Sequence, residues 1–201
     1  MRSALIPART AHQVVADGRM VFFYIDPSAV SAERVRDQML GHTATISYQH
    51  QAESSLISAW QDTAEPDPET LWRYLDEAAK TGAMDERIRT AMRLLRSRPN
   101  ENAKDIAAAV NLSSSQFLRL FALHAGTSFR RYRLWAKMCR AADAVSNGAD
   151  LTTASTEAGF ASPSHFSDAF RAMFGLSATQ LMSGPTRIIV ADSKRAGLGR
   201  D

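Results

Sequence analysis

The sequence predicts a mainly α fold, with two helix-turn-helix units joined by one long helix and preceded by a small α+β region. Three features predict it. From Asp85 to Ser183 apolar residues recur at helical spacing, punctuated by Pro, Gly, Asn and Ser. Within that stretch a short pattern of one serine and two phenylalanines occurs twice, 49 residues apart. Ahead of it, short apolar runs flank Asp17-Gly18, a hairpin signal because both central positions of such a turn take positive φ.

In chain order, strands are expected at Leu5-Ile6, from Ala11 to Ala16 and from Met20 to Ile25, with Pro27 closing the run. Residues 28–58 read as helical: Val30, Val35, Met39 and Leu40 fall near helical spacing, with Ser31 and Glu33 near the start. Residues 62–69 are acidic, carry Pro66 and Pro68, and read as a solvated linker. Leu71 to Ala79 reads as a further helix.

The punctuated stretch follows. Arg87 to Arg96 places Ile88, Met92 and Leu95 on one face, and Pro99-Asn100 stops it. Ala103 to Val110 is a short helix. Ser114 to His124 is capped by Ser113, and Phe117, Leu120, Phe121 and His124 share one side. Ser128 to Ser146 is one long helix, stopped by Asn147-Gly148, and Leu151 to Ala158 is short. Ser162 caps the helix from Ser164 to Phe174, with Pro163 at the first helical position, where its missing N–H costs nothing. Phe166, Ala169, Phe170 and Met173 form its inner face, and Ser177 to Met182 ends the series. Residues 184–201 hold little core material and are expected to fray.

Charge divides the chain in the same place. Residues 1–83 carry seven Lys/Arg against eleven Asp/Glu, whereas residues 84–184 carry thirteen against eight. A basic segment beside an acidic one suggests two tasks, the basic one suited to phosphates. The single cysteine, Cys139, rules out an internal disulfide and a cysteine-based zinc site. It lies one turn from Trp135, and both read as core. His12 stands without companions for a metal, so neither metal nor cofactor is expected. No apolar run approaches the ~18 residues that span a bilayer. Pro7 and Arg9 break the apolar start too early for a signal peptide, and a cytoplasmic protein is expected.

The repeat is specific. Leu112-Ser-x-x-x-Phe117-x-x-x-Phe121 corresponds to Phe160-x-Ser162-x-x-x-Phe166-x-x-x-Phe170. Each copy follows a short helix and a tight turn, and each is followed by a glycine, Gly126 or Gly175, five residues after the last aromatic. One such pattern is weak, since any αα-hairpin supplies it. Two in register, joined by a single long helix, are not.

These residues resemble the AraC/XylS family of bacterial regulators. Glu157-Ala-Gly-Phe-Ala-Ser-Pro-Ser-His-Phe-Ser-Asp-Ala-Phe-Arg-Ala-Met-Phe-Gly175 follows the signature of the family's second unit. Leu112-Ser-Ser-Ser-Gln-Phe-Leu-Arg-Leu-Phe121 and Gly126-Thr-Ser-Phe-Arg-Arg-Tyr-Arg-Leu-Trp135 match its first unit and linker helix. Leu5-Ile-Pro-Ala-Arg-Thr-Ala-His-Gln-Val14 and the run from Met20 to Pro27 look like the last strands of a cupin-type sensor, its earlier strands missing. The resemblance implies three regions: a partial cupin-like sensor or dimerisation region at 1–83, a double helix-turn-helix domain at 84–183, and a tail at 184–201.

It also implies seven helices in two subdomains, the third and sixth entering successive major-groove segments of double-stranded DNA, about one turn or ~34 Å apart. Base-facing residues would be Ser114, Ser115, Leu118 and Arg119 in the first recognition helix. In the second they would be Pro163, Ser164, His165, Ser167 and Asp168. Arg119 suits guanine and Leu118 a thymine methyl. Arg130, Arg131 and Arg171 are the phosphate candidates, which position without specifying. Arg130, Arg131 and Arg133 each read either as a phosphate contact or as part of a solvated face.

The sequence departs from the family pattern at four places. Asp168 stands where arginine or a neutral residue is usual. Ala154 and Ser155 replace a bulky apolar residue and an alanine, which predicts a less well packed second unit. Ala178, and Leu181 with Met182, replace proline and Tyr-Arg. The implied function is a transcription regulator, an activator contacting RNA polymerase, with homodimerisation through 1–83 and an effector left open. The rivals are an interaction module that pairs with a full-length relative and blocks it, and a DNA-repair alkyl transferase using Cys139. Enzyme activity is not expected.

Overall fold

The computed structural model describes residues 2–8, 10–15, 18, 20–28, 32–61, 84–184 and 186–190. They fall into two compact units, one whose described residues end at Gln61 and one from Met84 to Val190. The hairpin turn at Asp17, the linker at 62–69, the helix at 71–79 and the tail from Ala191 lie outside the described residues.

The N-terminal unit contains β1 (Ala4–Leu5), α1 (Ala32–Asp37), β2 (Met39–His42), β3 (Ser47–His50) and α2 (Glu53–Gln61). The strands form an antiparallel sheet in the order β1-β3-β2, with Ala4 opposite Tyr48 and Gly41 opposite Tyr48 from the other side. Ser3 ties the edge strand down: its hydroxyl donates to Glu53 Oε2 (2.5 Å) and accepts from the His50 amide (2.9 Å). His50 is buried, its Nε2 3.1 Å from Gln38 Oε1, and burial lowers its pKa, partly opposed by Glu53.

The N-terminal unit departs from the sequence expectation in two places. Residues 28–58 are not one helical region but a helix, a hairpin and a helix. The hairpin turn runs from Thr43 to Ile46, where the Thr43 hydroxyl accepts from the Ile46 amide (3.0 Å) and Thr43 N–H donates to Ile46 O (2.8 Å). A threonine side chain thus does the work of the usual Asn-Gly pair, so no turn signal stood in the sequence. Residues 11–15 and 20–25 are not strands either. Phe23 instead packs edge-on against Trp60 of α2, centroids 5.0 Å apart, while Phe22 and Tyr24 stack with more than half their surface exposed.

The C-terminal unit is all helix: α3 (Glu86–Ser97), α4 (Ala103–Ala109), α5 (Ser114–Ala125), α6 (Phe129–Ser146), α7 (Leu151–Glu157), α8 (Pro163–Phe174) and α9 (Ala178–Met182). This is the mainly α, seven-helix arrangement that the repeat predicts. The boundaries follow from capping. Asp85, Asn102, Ser113, Ser128, Asp150, Ser162 and Ser177 each accept a first-turn amide. Gly126 (φ +62°) and Gly175 (φ +79°) end α5 and α8 in the left-handed region, which a residue with a Cβ enters only with strain.

Two cores result, and α6 serves both. Its N-terminal half buries Phe129 and Tyr132 against α3, α4 and α5 around Ile88, Met92, Leu95, Ile106, Phe117 and Phe121. Its C-terminal half buries Met138 and Ala141 against α7, α8 and α9 around Ala154, Ala158, Phe160, Phe166 and Ala178. Eighteen residues at ~1.5 Å each make α6 about 27 Å long. No single helix among the described residues is long and apolar enough to cross a membrane.

Candidate nucleic-acid interface

The rotation of α5 is set from inside. Phe117, Phe121 and Ala125 lie at i, i+4 and i+8 and are buried. Phe117 and Phe121 meet Phe129 of α6 edge-on at centroid distances of 5.5 and 5.8 Å, and Phe121 meets Tyr132 at 5.4 Å. Such rings hold direction as well as area. With that face fixed, the opposite one must face solvent: Ser114, Ser115, Leu118 and Arg119 are all exposed, as are Ala122 and Leu123. A capping box closes the start of α5, Ser113 accepting from the Gln116 amide while the Gln116 side chain accepts from the Ser113 amide.

The same device orients α8. Phe166 and Ala169 are buried, and Phe166 meets Phe160 edge-on at 5.2 Å. Pro163, Ser164, His165, Ser167 and Asp168 are exposed. His165 lies edge-on to Phe160 at 5.5 Å, and Ser167 donates its hydroxyl to the Pro163 carbonyl (3.0 Å). Residue for residue, Arg119 of α5 corresponds to Asp168 of α8, each at the centre of its outward face. The two helices therefore present opposite charges at their matching positions.

Arg130 and Arg131 are exposed in the first turn of α6, and Arg171 is exposed on α8. Among the described residues no salt bridge engages these three, Arg119 or Asp168. The electrostatics of the helix starts divide into two sets. α3, α4 and α7 begin with an acid or amide cap, Asp85, Asn102 or Asp150, and the first turns of α3 and α4 add Glu86 and Asp105. α5, α6, α8 and α9 begin with neutral serine and have no acid in the first turn. Their positive dipole ends are left uncompensated, and α6 adds two arginines to its own. An anion from outside would satisfy both features.

Arg133 is not a solvated cation. Its Nε donates to Pro99 O (3.0 Å) and its Nη2 to Asn100 O (3.4 Å). Lys137 and Arg140, which the sequence reading did not single out, also reach main-chain carbonyls: Lys137 that of Gly159, and Arg140 those of Ser97 (3.0 Å) and Glu157 (3.2 Å). Burial lowers the Lys137 pKa, and neighbouring Arg133 lowers it further. Their i, i+4, i+7 spacing was visible beforehand, but a basic stripe on a helix reads the same when it is merely solvated. Cys139 is half-buried midway along α6, and His12 is exposed, its Nδ1 2.8 Å from Thr10 O.

Residues 106–183 match the model of a family described as "Helix-turn-helix domain". No curated protein matches the chain. Among solved structures, the chain is similar to the C-terminal domain of AraT, a response regulator from Geobacillus stearothermophilus. The two share 21% identity over 56% of this chain and 96% of that one, at a TM-score of 0.47. A DNA-binding transcriptional dual regulator from Escherichia coli K-12 is similar at 17% identity over 52% of this chain and 96% of that one, with a TM-score of 0.45. ToxT from Vibrio cholerae is similar at 15% identity over 74% of this chain and 61% of that one, with a TM-score of 0.47.

Proposed function

We propose, from the AraC-type helix-turn-helix domain at residues 106–183, that this DNA-binding regulator reads a specific duplex sequence with two helices, α5 and α8, in successive major-groove segments. The observation that carries the reading is the pairing of two features on the same helices. Both have aromatic inner faces that aim small polar residues outward, and both have serine-capped starts left positive for phosphate. Ser114, Ser115, Leu118 and Arg119 would face bases from α5. Pro163, Ser164, His165, Ser167 and Asp168 would do so from α8, where a carboxylate can accept from the cytosine amine. Arg130, Arg131 and Arg171 would hold phosphates and set register.

The same reading makes the chain an activator that touches RNA polymerase beside its site. It also gives the N-terminal unit a role in pairing two copies, supported by the exposed apolar run of Val21, Phe22 and Tyr24. A second reading, an antagonist that binds a relative rather than DNA, is favoured by Asp168 and by the shortened sensor region. Duplexes selected from a random pool, tested by gel shift with excess non-specific competitor, separate the two. One enriched sequence that survives competitor supports the reader; no enriched sequence removes it.

A further inference from the structure

Arg133, Lys137 and Arg140 recur at i, i+4 and i+7 and so line one side of α6. Among the described residues none of the three forms a salt bridge with a carboxylate. All three donate to main-chain carbonyls, and these belong to both units. Arg133 holds Pro99 and Asn100, in the turn between α3 and α4, and Lys137 holds Gly159, in the turn between α7 and α8. Arg140 divides its fork: one nitrogen donates to Ser97, the last residue of α3, and the other to Glu157, the last of α7. The final carbonyls of a helix lack intrahelical partners and carry its negative end, so a cation there is favoured twice. Here one guanidinium serves a helix end in each unit at once.

A second observation is independent of charge. Gly159 has φ +82°, and a Cβ built there would lie 2.5 Å from Asn100 Nδ2 and 2.8 Å from its Oδ1. The α7–α8 turn is thus seated directly on the α3–α4 turn. A cleft of about 520 Å³, lined by Ser97, Arg98, Glu101, Asp105, Arg140 and Glu157 among others, opens beside this junction. The turns on which the two units meet are the ones that lead, through α4 and directly, into α5 and α8.

We propose that Arg140, with Arg133 and Lys137, is a positioning residue that fixes α5 relative to α8 and so sets the half-site separation the chain accepts. This rests on the two-helix reading above. A rigid reader is intolerant of spacing: one added base pair moves a half-site about 3.4 Å along the axis and about a tenth of a turn around it. Lysine cannot replace the fork, because a single ammonium does not present two parallel prongs to carbonyls on different helices.

The test uses the full chain and the duplex that the wild type enriches from a random pool. That duplex is remade with one base pair added or removed between its half-sites. Wild type should lose roughly tenfold or more in affinity on either change, the loss expected of a mismatched contact. Arg140→Gln should lose less than about threefold, Arg140→Lys should fall between, and the salt dependence of binding should not change. An Arg140→Gln variant that keeps the wild-type spacing penalty overturns the proposal. If its salt slope also drops by about one, Arg140 is a phosphate contact instead. Spin labels at Leu123→Cys and Ala172→Cys, in a Cys139→Ser background, test the clamp without DNA. The distance distribution should be narrow in wild type and broad in Arg140→Gln. Equal widths overturn the clamp even if no DNA sequence is enriched, and a broadened distribution with no enriched sequence overturns the DNA reading alone.

Discussion

The two helix-turn-helix units share a plan and differ in how they hold it. In the first, Ile88, Met92, Leu95, Ile106, Phe117 and Phe121 are all at 0% exposure, and Tyr132 is at 1%. In the second, the residues sealed to that degree are small: Ala154, Ala158 and Ser155. Of its larger side chains, Met138, Phe160 and Phe166 are buried at 4–7% exposure, while Phe170, Met173 and Phe174 are only partly buried. Ser155 keeps its hydroxyl satisfied by the Thr152 carbonyl (2.8 Å), as a buried polar group must. The turns differ too, four residues from Ala109 to Ser114 against five from Glu157 to Pro163. In the longer turn Gly159 is held by Lys137 from α6. A unit with a weaker core has its turn fastened from outside.

The largest expected effect attacks the cores. Phe121→Ala opens a cavity in a sealed aromatic cluster and should cost about 3–5 kcal/mol in urea unfolding of the full chain. Phe170→Ala removes a ring that is only partly buried and should cost about 2 kcal/mol. Equal costs would erase the contrast between the two units.

Next come the outward faces, where Arg119 and Asp168 oppose each other in charge. Arg119→Ala should weaken specific binding by about 1–3 kcal/mol and relax one base position. Asp168→Arg should tighten binding and steepen the salt dependence by about one counterion, because one more phosphate is within reach of a cation. Anisotropy titrations at several salt concentrations read both. An unchanged slope and affinity would place Asp168 away from the phosphates.

A smaller effect distinguishes the caps. Aspartate caps a helix about as well as serine, and its charge suits the dipole. Ser162→Asp should therefore leave the thermal midpoint unchanged or slightly raised while weakening DNA binding by roughly 1 kcal/mol, since its carboxylate stands where a phosphate would dock. The change from Ser177 to Asp, on a helix outside the proposed contacts, should leave both unaffected. If both substitutions weaken binding equally, net charge rather than position is responsible.

How much of this was legible in the sequence follows the range of the forces involved. The seven C-terminal helices could be read because caps, stops and apolar spacing act within a few residues: Ser113 with Gln116, or Ser162 with Pro163. The exposed faces followed from the same periodicity. Of the N-terminal sheet only the first strand, near Leu5, could be read. Ala4 pairs with Tyr48 across more than forty residues, and the Thr43–Ile46 turn has no glycine or asparagine. Gly41 looks like a helix breaker or a loop residue. Its lack of a side chain is needed because the Tyr48 ring lies where a Cβ would be, 2.3 Å from Cε2. The cation stripe on α6 was present in the sequence, but its partners are carbonyls, which every residue carries and no residue type announces.

The smallest effect concerns how each unit begins. Asp85 caps α3 and Asp150 caps α7, and in both cases hydrogen bonding favours the carboxylate. The Arg87 side chain, donating to both Asp85 oxygens, holds that carboxyl at about 2. Asp150 relies on the backbone and side chain of Thr153, with the Thr152 amide adding less, and its pKa is lowered without a cation's help. A group whose pKa is depressed by folding contributes stability above its unfolded pKa and loses it as the pH falls through the folded value. Both caps should therefore be intact at neutral pH and weaken below about pH 4, the unfolded carboxylate range. Asp150 should protonate first, so α7 should fray at a higher pH than α3. Following the Thr152 and Arg87 amide shifts from pH 5 to pH 2 by NMR checks the order. Arg87→Ala should bring the two transitions together, and a reversed order in the wild type would mean that the cation does not govern the first cap.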